Sequence, residues 1–382
     1  MALFKPKIMK VDSDVLDLVI RTANVGIFHL VSLYHQHIFV CFSPPPPVFD
    51  AGCTCNTKTM LNNTSAPEFI LLGFSGFQEF RILLFFSFLV VYLFILLGNA
   101  LIILLSNMDV ALHVPMYFFL SNFSFLEMCY TSVTVPRLLG DFLTGPQAIS
   151  LQACITQMYF FFSLGTTEFF LLAIMAYDRY LAICQPLQYP VLMNSSVCAC
   201  LACSCWLGGF LTPFLPIAFI SQLPFNGSNQ INHFFCDTSP LINLSTGDTF
   251  MADTMVFLVS AVIVLVSFLL TLTSYALIVS TILDLPSASG RHKTFSTCAS
   301  HLTVVTIFYS TVIFMYLCPH SGQTSELEKV VSVFYTVITP VLNPIIYTLR
   351  NKDVKKALGK VLSRVKNTCL KNTQRTALIV LS

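Results

Sequence analysis

Glu127 and Glu168 are carboxylates near the middle of two long apolar stretches, and Asn99 and Asn343 fall at comparable depth in two others. A charge at mid-bilayer costs roughly 2.5–3.5 kcal/mol on insertion scales, so each acid calls for a reason. Converging on one layer, two carboxylates and two amides offer the oxygen ligands that a hard cation such as Na⁺ takes. Close carboxylates can instead share a proton, since like charges at short range disfavour double ionisation. A structural polar network is compatible with either. One stretch ends in Asp178-Arg179-Tyr180. An arginine at the membrane edge can be held at rest by the aspartate beside it and, once released, reach into a cavity opened on that face. The ordinary alternative is a snorkelling salt bridge. Another stretch ends in Asn343-Pro344-Ile345-Ile346-Tyr347. There the proline removes a backbone hydrogen bond and kinks the helix, Asn343 can satisfy the freed groups, and Tyr347 can swing between two packings. No nucleophile motif, phosphate loop or two-histidine helix stands in a context that supports catalysis, so the chain is not expected to be an enzyme.

These groups need elements to hold them. Seven long apolar stretches run at about 82–106, 116–138, 154–177, 197–220, 254–282, 297–317 and 330–349. Each is long enough to cross a bilayer as a helix, which takes about 20 mostly apolar residues. Charged residues make up 10% of the chain and hydrophobic residues 55%, whereas a soluble domain is about a quarter charged. The expected fold is an all-α membrane protein, a seven-transmembrane helix bundle. An odd number of spans puts its two ends on opposite sides of the membrane. The net charge of +2 says little, but its distribution says more. Past residue 82, Arg179, Arg291, Lys293, Arg350 and the basic residues of the tail lie in alternate loops and the C-terminal segment, while the other side holds only Arg137 and Lys329. Basic residues near span ends stay cytoplasmic. The C-terminus is therefore expected inside and the region before residue 82 outside, in the plasma membrane. After Arg350, the residues Val354, Ala357, Leu358, Val361 and Leu362 share one helical face, with Lys352, Lys355, Lys356 and Lys360 around the other. That pattern predicts a short amphipathic eighth helix on the inner leaflet, with membrane lipid as its partner. No nucleic-acid partner is expected.

The fourteen cysteines are not a disulfide framework, because most lie in apolar stretches where a thiol is a small hydrophobe. Cys154, opening the third stretch, and Cys236, in the outer loop 221–253, fall at oxidising positions that suit a bridge. Such a bond would pin the loop over the bundle mouth. Cys198, Cys200, Cys203 and Cys205 spread around a helix and cannot meet one tetrahedral ion. His233-x-x-Cys236-Asp237 has metal-ligand spacing, but the bridge is the better use of Cys236.

Residues 1–59 differ from the rest: Pro44 to Pro47 form a rigid polyproline run, and 1–25 carries three aspartates with no clean signal-cleavage site. The expected organisation is a disordered extension over 1–59, of the kind an upstream start codon adds, and an outer tail over 60–81. A seven-span domain over 82–351 and an inner amphipathic helix and tail over 352–382 follow. Asn62 and Asn63 are glycosylation acceptors by pattern, as are Asn226 and Asn243 in the outer loop. Asn122 and Asn194 match the pattern where the topology excludes it.

Taken together, residues 60–365 resemble the rhodopsin-like G-protein-coupled receptors, and within them the olfactory receptors. The resemblance rests on Gly98-Asn99, on HVPMYFFLSNFSFLE from His113, on MAYDRYLAICQPLQYP from Met175, on Ser274-Tyr275, on KTFSTCASH from Lys293 and on PVLNPIIYTLRN from Pro340. MAYDRYLAIC and KTFSTCASH carry the most specificity. The family implies an odorant receptor that couples to a heterotrimeric stimulatory G protein of the olfactory type and raises cyclic AMP. It also implies a cavity lined by Phe161, Phe162, Gly165, Thr166, Val259, Ser260, Ile263, Tyr309, Val312, Tyr316 and Thr336. That lining suits a small, neutral, volatile molecule with one hydrogen-bonding group. Phe161 stands where aminergic receptors keep an acid, and Val337 stands where opsins keep a lysine, so a cationic amine or retinal is not expected. Activation is expected to turn on Asp178, Arg179, Tyr180, Tyr275, Asn343, Pro344 and Tyr347, with Lys293 and His301 at the inner end of the sixth span. Asn99, Glu127, Glu168 and Asn343 remain the candidate sodium site, with the ion as a modulator and a proton shared between the carboxylates as the equal alternative; no other cofactor is expected. Two departures stand out. Many family members carry two further loop cysteines where this chain has Asn226 and Thr246, which predicts a more mobile loop held by Cys154–Cys236 alone. Glu127 stands where the family often has aspartate. A transporter or channel is the rival class, but those proteins often show two related halves. This chain shows no internal repeat. A receptor of the same fold with a non-olfactory chemosensory role has the same sequence signals.

Overall fold

The computed structural model describes residues 68–284, 298, 301–313, 326–349, 354–361 and 363. The expected extension over 1–59 lies outside them. Helix α1 spans Arg81–Met108 and stops at Asp109, whose carboxylate accepts from the Ala111 N–H at 3.1 Å. Helix α2, Pro115–Thr144, begins on a proline at its first turn, where a missing N–H costs nothing, and ends at Gly145, whose φ of +85° suits glycine. Helix α3, Leu151–Cys184, is capped by Ser150, which accepts from Ala153 N at 3.3 Å. Helices α4, Ser195–Leu211, and α5, Phe214–Ser221, divide the stretch expected as one helix. The break falls at Thr212 and Pro213, where proline cannot continue the hydrogen-bond ladder. Helix α6 is Phe250–Leu283 and α7 is His301–Ile313. The last span consists of α8, Glu326–Val333, a wide π turn over Phe334–Ile338, and α9, Thr339–Leu349. The π turn precedes Pro340, which has no N–H to give the Thr336 carbonyl. Residues 354–361 form α10.

Among the described residues, five helices are long and apolar enough to cross a membrane: α1, α3, α4 with α5, α6, and Lys329–Ile346. α2 has 30 residues and a more polar composition, and α7 contributes a shorter apolar helix. α3 is central, packing on α2, α4 and α6. Its apolar window is 67% buried, against 22% for α1 and 17% for α6. The outer faces of α1 and α6 carry exposed Leu83, Val90, Leu97, Leu265, Leu269 and Leu270, a surface suited to lipid rather than water. Two close approaches depend on glycine. A Cβ on Gly98 would come within 2.9 Å of Pro344, and one on Gly209 would meet the Ser163 carbonyl at 2.9 Å.

The fold is not purely helical. Strand β1, Glu68–Leu71, pairs antiparallel with β2, Ala148–Ser150, and parallel with β3, Gln230–Ile231. This small sheet is an addition that the all-α expectation did not include; the chain remains predominantly helical. Three loop segments meet at one end of the bundle, and pairing satisfies the backbone groups that a buried loop would leave bare. Phe69, Leu71, Ile149 and Ile231 turn inward from it and pack with Cys154 and Cys236. At the opposite end, Lys360 of α10 pairs with Asp109 at 2.8 Å. Val354 and Ala357 are buried, while Lys355 and Lys356 are exposed.

Candidate functional site

Below the sheet lies a cavity of about 50 Å³, bounded by α2, α3, α6, α7 and the π turn. α3 gives it Phe161, Phe162, Gly165, Thr166 and Phe169, a one-sided run at helical spacing. α6 gives Ser260, Ile263 and Val264, and α7 gives Phe308 and Val312. Of the expected lining residues, Phe161, Phe162, Gly165, Thr166, Ser260, Ile263 and Val312 are brought together here. Three others are placed elsewhere. Val259 sits one position off the lining face of α6. Tyr309 packs on Phe169 and Phe268, with ring centroids 5.3 and 5.4 Å away. Thr336 is buried and donates to the Ser332 carbonyl at 2.6 Å. Tyr316 lies outside the described residues.

Sequence reasoning missed Tyr130, Phe169, Val264, Phe308 and Tyr335. Phe169, Val264 and Phe308 continue the i, i+3, i+4 pattern of residues already chosen, and that spacing is the signal that finds them. Tyr335 lines the cavity where Thr336 was expected. The π turn carries one more residue than an α turn and so rotates the face.

The sheet end closes over this cavity. Cys154 and Cys236 are disulfide-bonded. The Cys236 N–H donates to Gln157 Oε1 at 3.0 Å, and Gln157 Nε2 donates to the Val133 carbonyl at 3.0 Å. Phe235 lies against Phe161 at 4.6 Å. Both ring nitrogens of His233 are committed to hydrogen bonds. Its Nδ1 accepts from the Phe235 N–H at 3.4 Å, so its Nε2–H donates to Ser332 Oγ at 3.2 Å. Ser332 in turn accepts from Tyr335 at 3.0 Å. Burial, and secondarily the Lys329 charge, push His233 down to about 3 from its ordinary 6.5. Thr246, at a position where a further loop cysteine was expected of the family, donates its N–H and hydroxyl to the Pro224 carbonyl at 3.0 and 3.3 Å. Asn226 and Asn243 are exposed at this end; Asn62 and Asn63 lie outside the described residues. Cys198 and Cys205 are buried while Cys200 and Cys203 are exposed, so the four cysteines of α4 face apart.

Deeper in the bundle, Asn99, Glu127, Glu168 and Asn343 are all buried. Asn343 Nδ2 donates to Glu127 Oε1, and Asn99 Nδ2 donates to the Ile95 carbonyl at 3.0 Å. Glu127 and Glu168 lie close enough to interact electrostatically. Asn99 Oδ1, Glu127 Oε2, Glu168 Oε1 and Asn343 Oδ1 are each buried with no hydrogen-bond partner among the described residues. A set of unsatisfied oxygens is the donor chemistry that a hard monovalent cation fits; a neutral packing layer would leave fewer groups bare.

At the far end of α3, Asp178 accepts from Tyr189 Oη at 2.8 Å. Burial and then the Asp178 charge raise the Tyr189 phenol above its ordinary value. Asp178 and Arg179 make no direct ion pair among the described residues, but the Arg179 charge acts on the Asp178 carboxylate. Successive helix positions point about 100° apart, so the pair diverges. Arg179 also lies within electrostatic reach of His301 and Cys298. His301 Nδ1 and the Tyr275 hydroxyl are 2.6 Å apart, with their rings stacked. Tyr180 accepts from Gln185 Nε2 at 3.1 Å. Pro344 packs on Gly98. Lys293 and the Tyr347 side chain lie outside the described residues.

The olfactory receptor family model matches residues 88–365, which takes in α3, the cavity and both polar layers. The chain belongs to the olfactory receptor family. It is 52% identical over 303 residues to human olfactory receptor 11L1, covering 79% of this chain and 94% of that one. Mouse olfactory receptor 6B9 is 51% identical over 304 residues, covering 80% of this chain and 96% of its own. Human olfactory receptor 6Y1 is 51% identical over 301 residues, with 79% and 93% covered. The protein is thus a multi-pass membrane receptor for odorants and not an enzyme.

Proposed function

We propose that this olfactory receptor binds a small neutral volatile molecule in the cavity beneath the sheet and signals through a stimulatory, olfactory-type G protein to raise cyclic AMP. α2 and α7 complete seven spans with the five apolar ones. The sheet and disulfide face outward, and Arg179 and α10 face inward, α10 resting on the inner leaflet of the plasma membrane. The observation that carries this reading is the arrangement along α3. One end lines an uncharged aromatic cavity, and the other presents Arg179 beside the Tyr275–His301 pair of α6 and α7. A ligand that fits one packing of α3, α6 and α7 better than another shifts the equilibrium between them, and only by that difference in affinity. Moving α7 relative to α6 separates Tyr275 from His301 and frees Arg179 to meet the G protein.

Na⁺ is proposed as a modulator held by Asn99, Glu127, Glu168 and Asn343, supplying charge to the buried carboxylates. The test is a volatile panel applied to cells that carry the receptor and the olfactory-type G protein, read as cyclic AMP. Arg179→Ala is expected to abolish the response while surface expression survives; a full response from Arg179→Ala refutes the switch assignment. Replacing external and internal Na⁺ with choline is expected to shift the wild-type response. Glu168→Gln is expected to remove that shift, and an unchanged shift in the variant counts against the ion.

A further inference from the structure

The cavity wall contains hydroxyls that the fold does not use. Elsewhere in the bundle, Thr131, Thr167, Ser267 and Ser274 each donate to the carbonyl one turn back, at 2.6 to 2.9 Å, and the buried hydroxyls of Ser121, Ser163 and Thr271, which have no partner among the described residues, do not line the cavity. Tyr335, on the cavity wall, is committed to Ser332. Tyr130 and Thr166 are different. They are 3% and 7% exposed, both line the cavity, and neither makes a hydrogen bond among the described residues. Ser260, on the α6 wall, is likewise uncommitted among them.

The position of Tyr130 is set by packing. Its ring stacks on Phe161 with centroids 5.0 Å apart. A Cβ on Gly165 would lie 3.7 Å from its Cε2 and 4.0 Å from its hydroxyl. The phenol therefore covers the notch that Gly165 leaves in α3, beside Thr166. Buried hydroxyls without partners cost free energy until something accepts from them.

The wall supplies hydroxyls, each a donor and an acceptor, and no charged side chain. An ionised ligand would stay uncompensated there, and a hydrocarbon would leave the hydroxyls bare. A carbonyl oxygen has two lone pairs and no proton of its own, so one atom can satisfy two donors.

Resting on the odorant-receptor reading, we infer that Tyr130 and Thr166 are the polar anchors of the cavity and that its preferred ligands are small neutral aldehydes and ketones. Both hydroxyls donate to the carbonyl oxygen, and the aromatic wall takes the hydrocarbon part.

The test compares hexanal, cyclohexanone and benzaldehyde with hexane, methylcyclohexane and toluene, within a broad volatile panel, in cells carrying the receptor and the olfactory-type G protein. Wild type is expected to answer at least one carbonyl compound at a half-maximal concentration about ten-fold or more below its hydrocarbon match, the scale of one unmade hydrogen bond. Tyr130→Phe and Thr166→Val, each checked by surface labelling, are expected to raise the carbonyl half-maximal concentration about ten-fold and leave the hydrocarbon's in place. If Tyr130→Phe does not reach the surface, Thr166→Val alone decides. The inference is overturned if wild type answers volatiles but none of the carbonyl compounds, or if the surface-expressed variants keep the full carbonyl preference. A wild-type receptor at the surface that answers no volatile of any class defeats the odorant reading itself, which is a separate result.

Discussion

His233 shows how one residue ties the outer loop to the ligand wall. Its ring bridges the Phe235 backbone and Ser332, and Ser332 holds Tyr335, which lines the cavity. Both bonds require the neutral ring with its proton on Nε2. Protonating Nδ1 breaks the bond from Phe235 and places a cation beside Lys329 in a dry site. The sign of the pH effect follows. With the folded value near 3 and the ordinary value at 6.5, the unfolded chain takes up the proton first as pH falls. The contribution of His233 is complete above about 6.5 and is lost progressively from there toward 3, at about 1.4 kcal/mol per pH unit. Thermal unfolding of the purified receptor is expected to show a lower Tm at pH 5 than at pH 7.5. His233→Asn is expected to flatten part of that slope. Parallel pH profiles for wild type and variant would remove His233 from this role.

Helices were legible in the sequence where the apolar pattern ran without interruption, as in α1, α3 and α6. Their ends were less so, because polar caps such as Ser150 and Asn194 carry the helix past the apolar stretch itself. The break between α4 and α5 was written in Pro213, but apolar composition on both sides hid it. The sheet was not legible: each strand is two to four residues long, and its partners lie 78 or more residues apart. The site divides the same way. On α3, regular spacing brings Phe161, Phe162, Gly165 and Thr166 to one wall. In the last span, regular spacing gives the wrong face, because the π turn before Pro340 puts Tyr335 where an unbroken helix puts Thr336. Tyr130 was hidden for a different reason. α2 reaches the cavity only through the gap at Gly165, and that approach is a property of two helices together.

At the scale of the whole molecule, two independent signals favour the same orientation. The basic residues gather at the end that holds Arg179, Lys355, Lys356 and Lys360, and such clusters are retained in the cytoplasm. The disulfide between Cys154 and Cys236 forms at the other end, and disulfides persist in oxidising compartments. Either signal alone favours this orientation of α3, and with the proposed odd number of crossings both extend it to the ends of the chain. An even count would bring β1 and α10 to one side, although β1 pairs with the loops at the disulfide end and α10 pairs with Asp109 at the other. An epitope inserted ahead of β1 is therefore expected to be labelled in intact cells, and one placed after α10 only once the membrane is permeabilised. Labelling of both without permeabilisation would contradict the orientation. It would also remove the inward-facing position of Arg179 on which the proposed coupling to a cytoplasmic G protein rests.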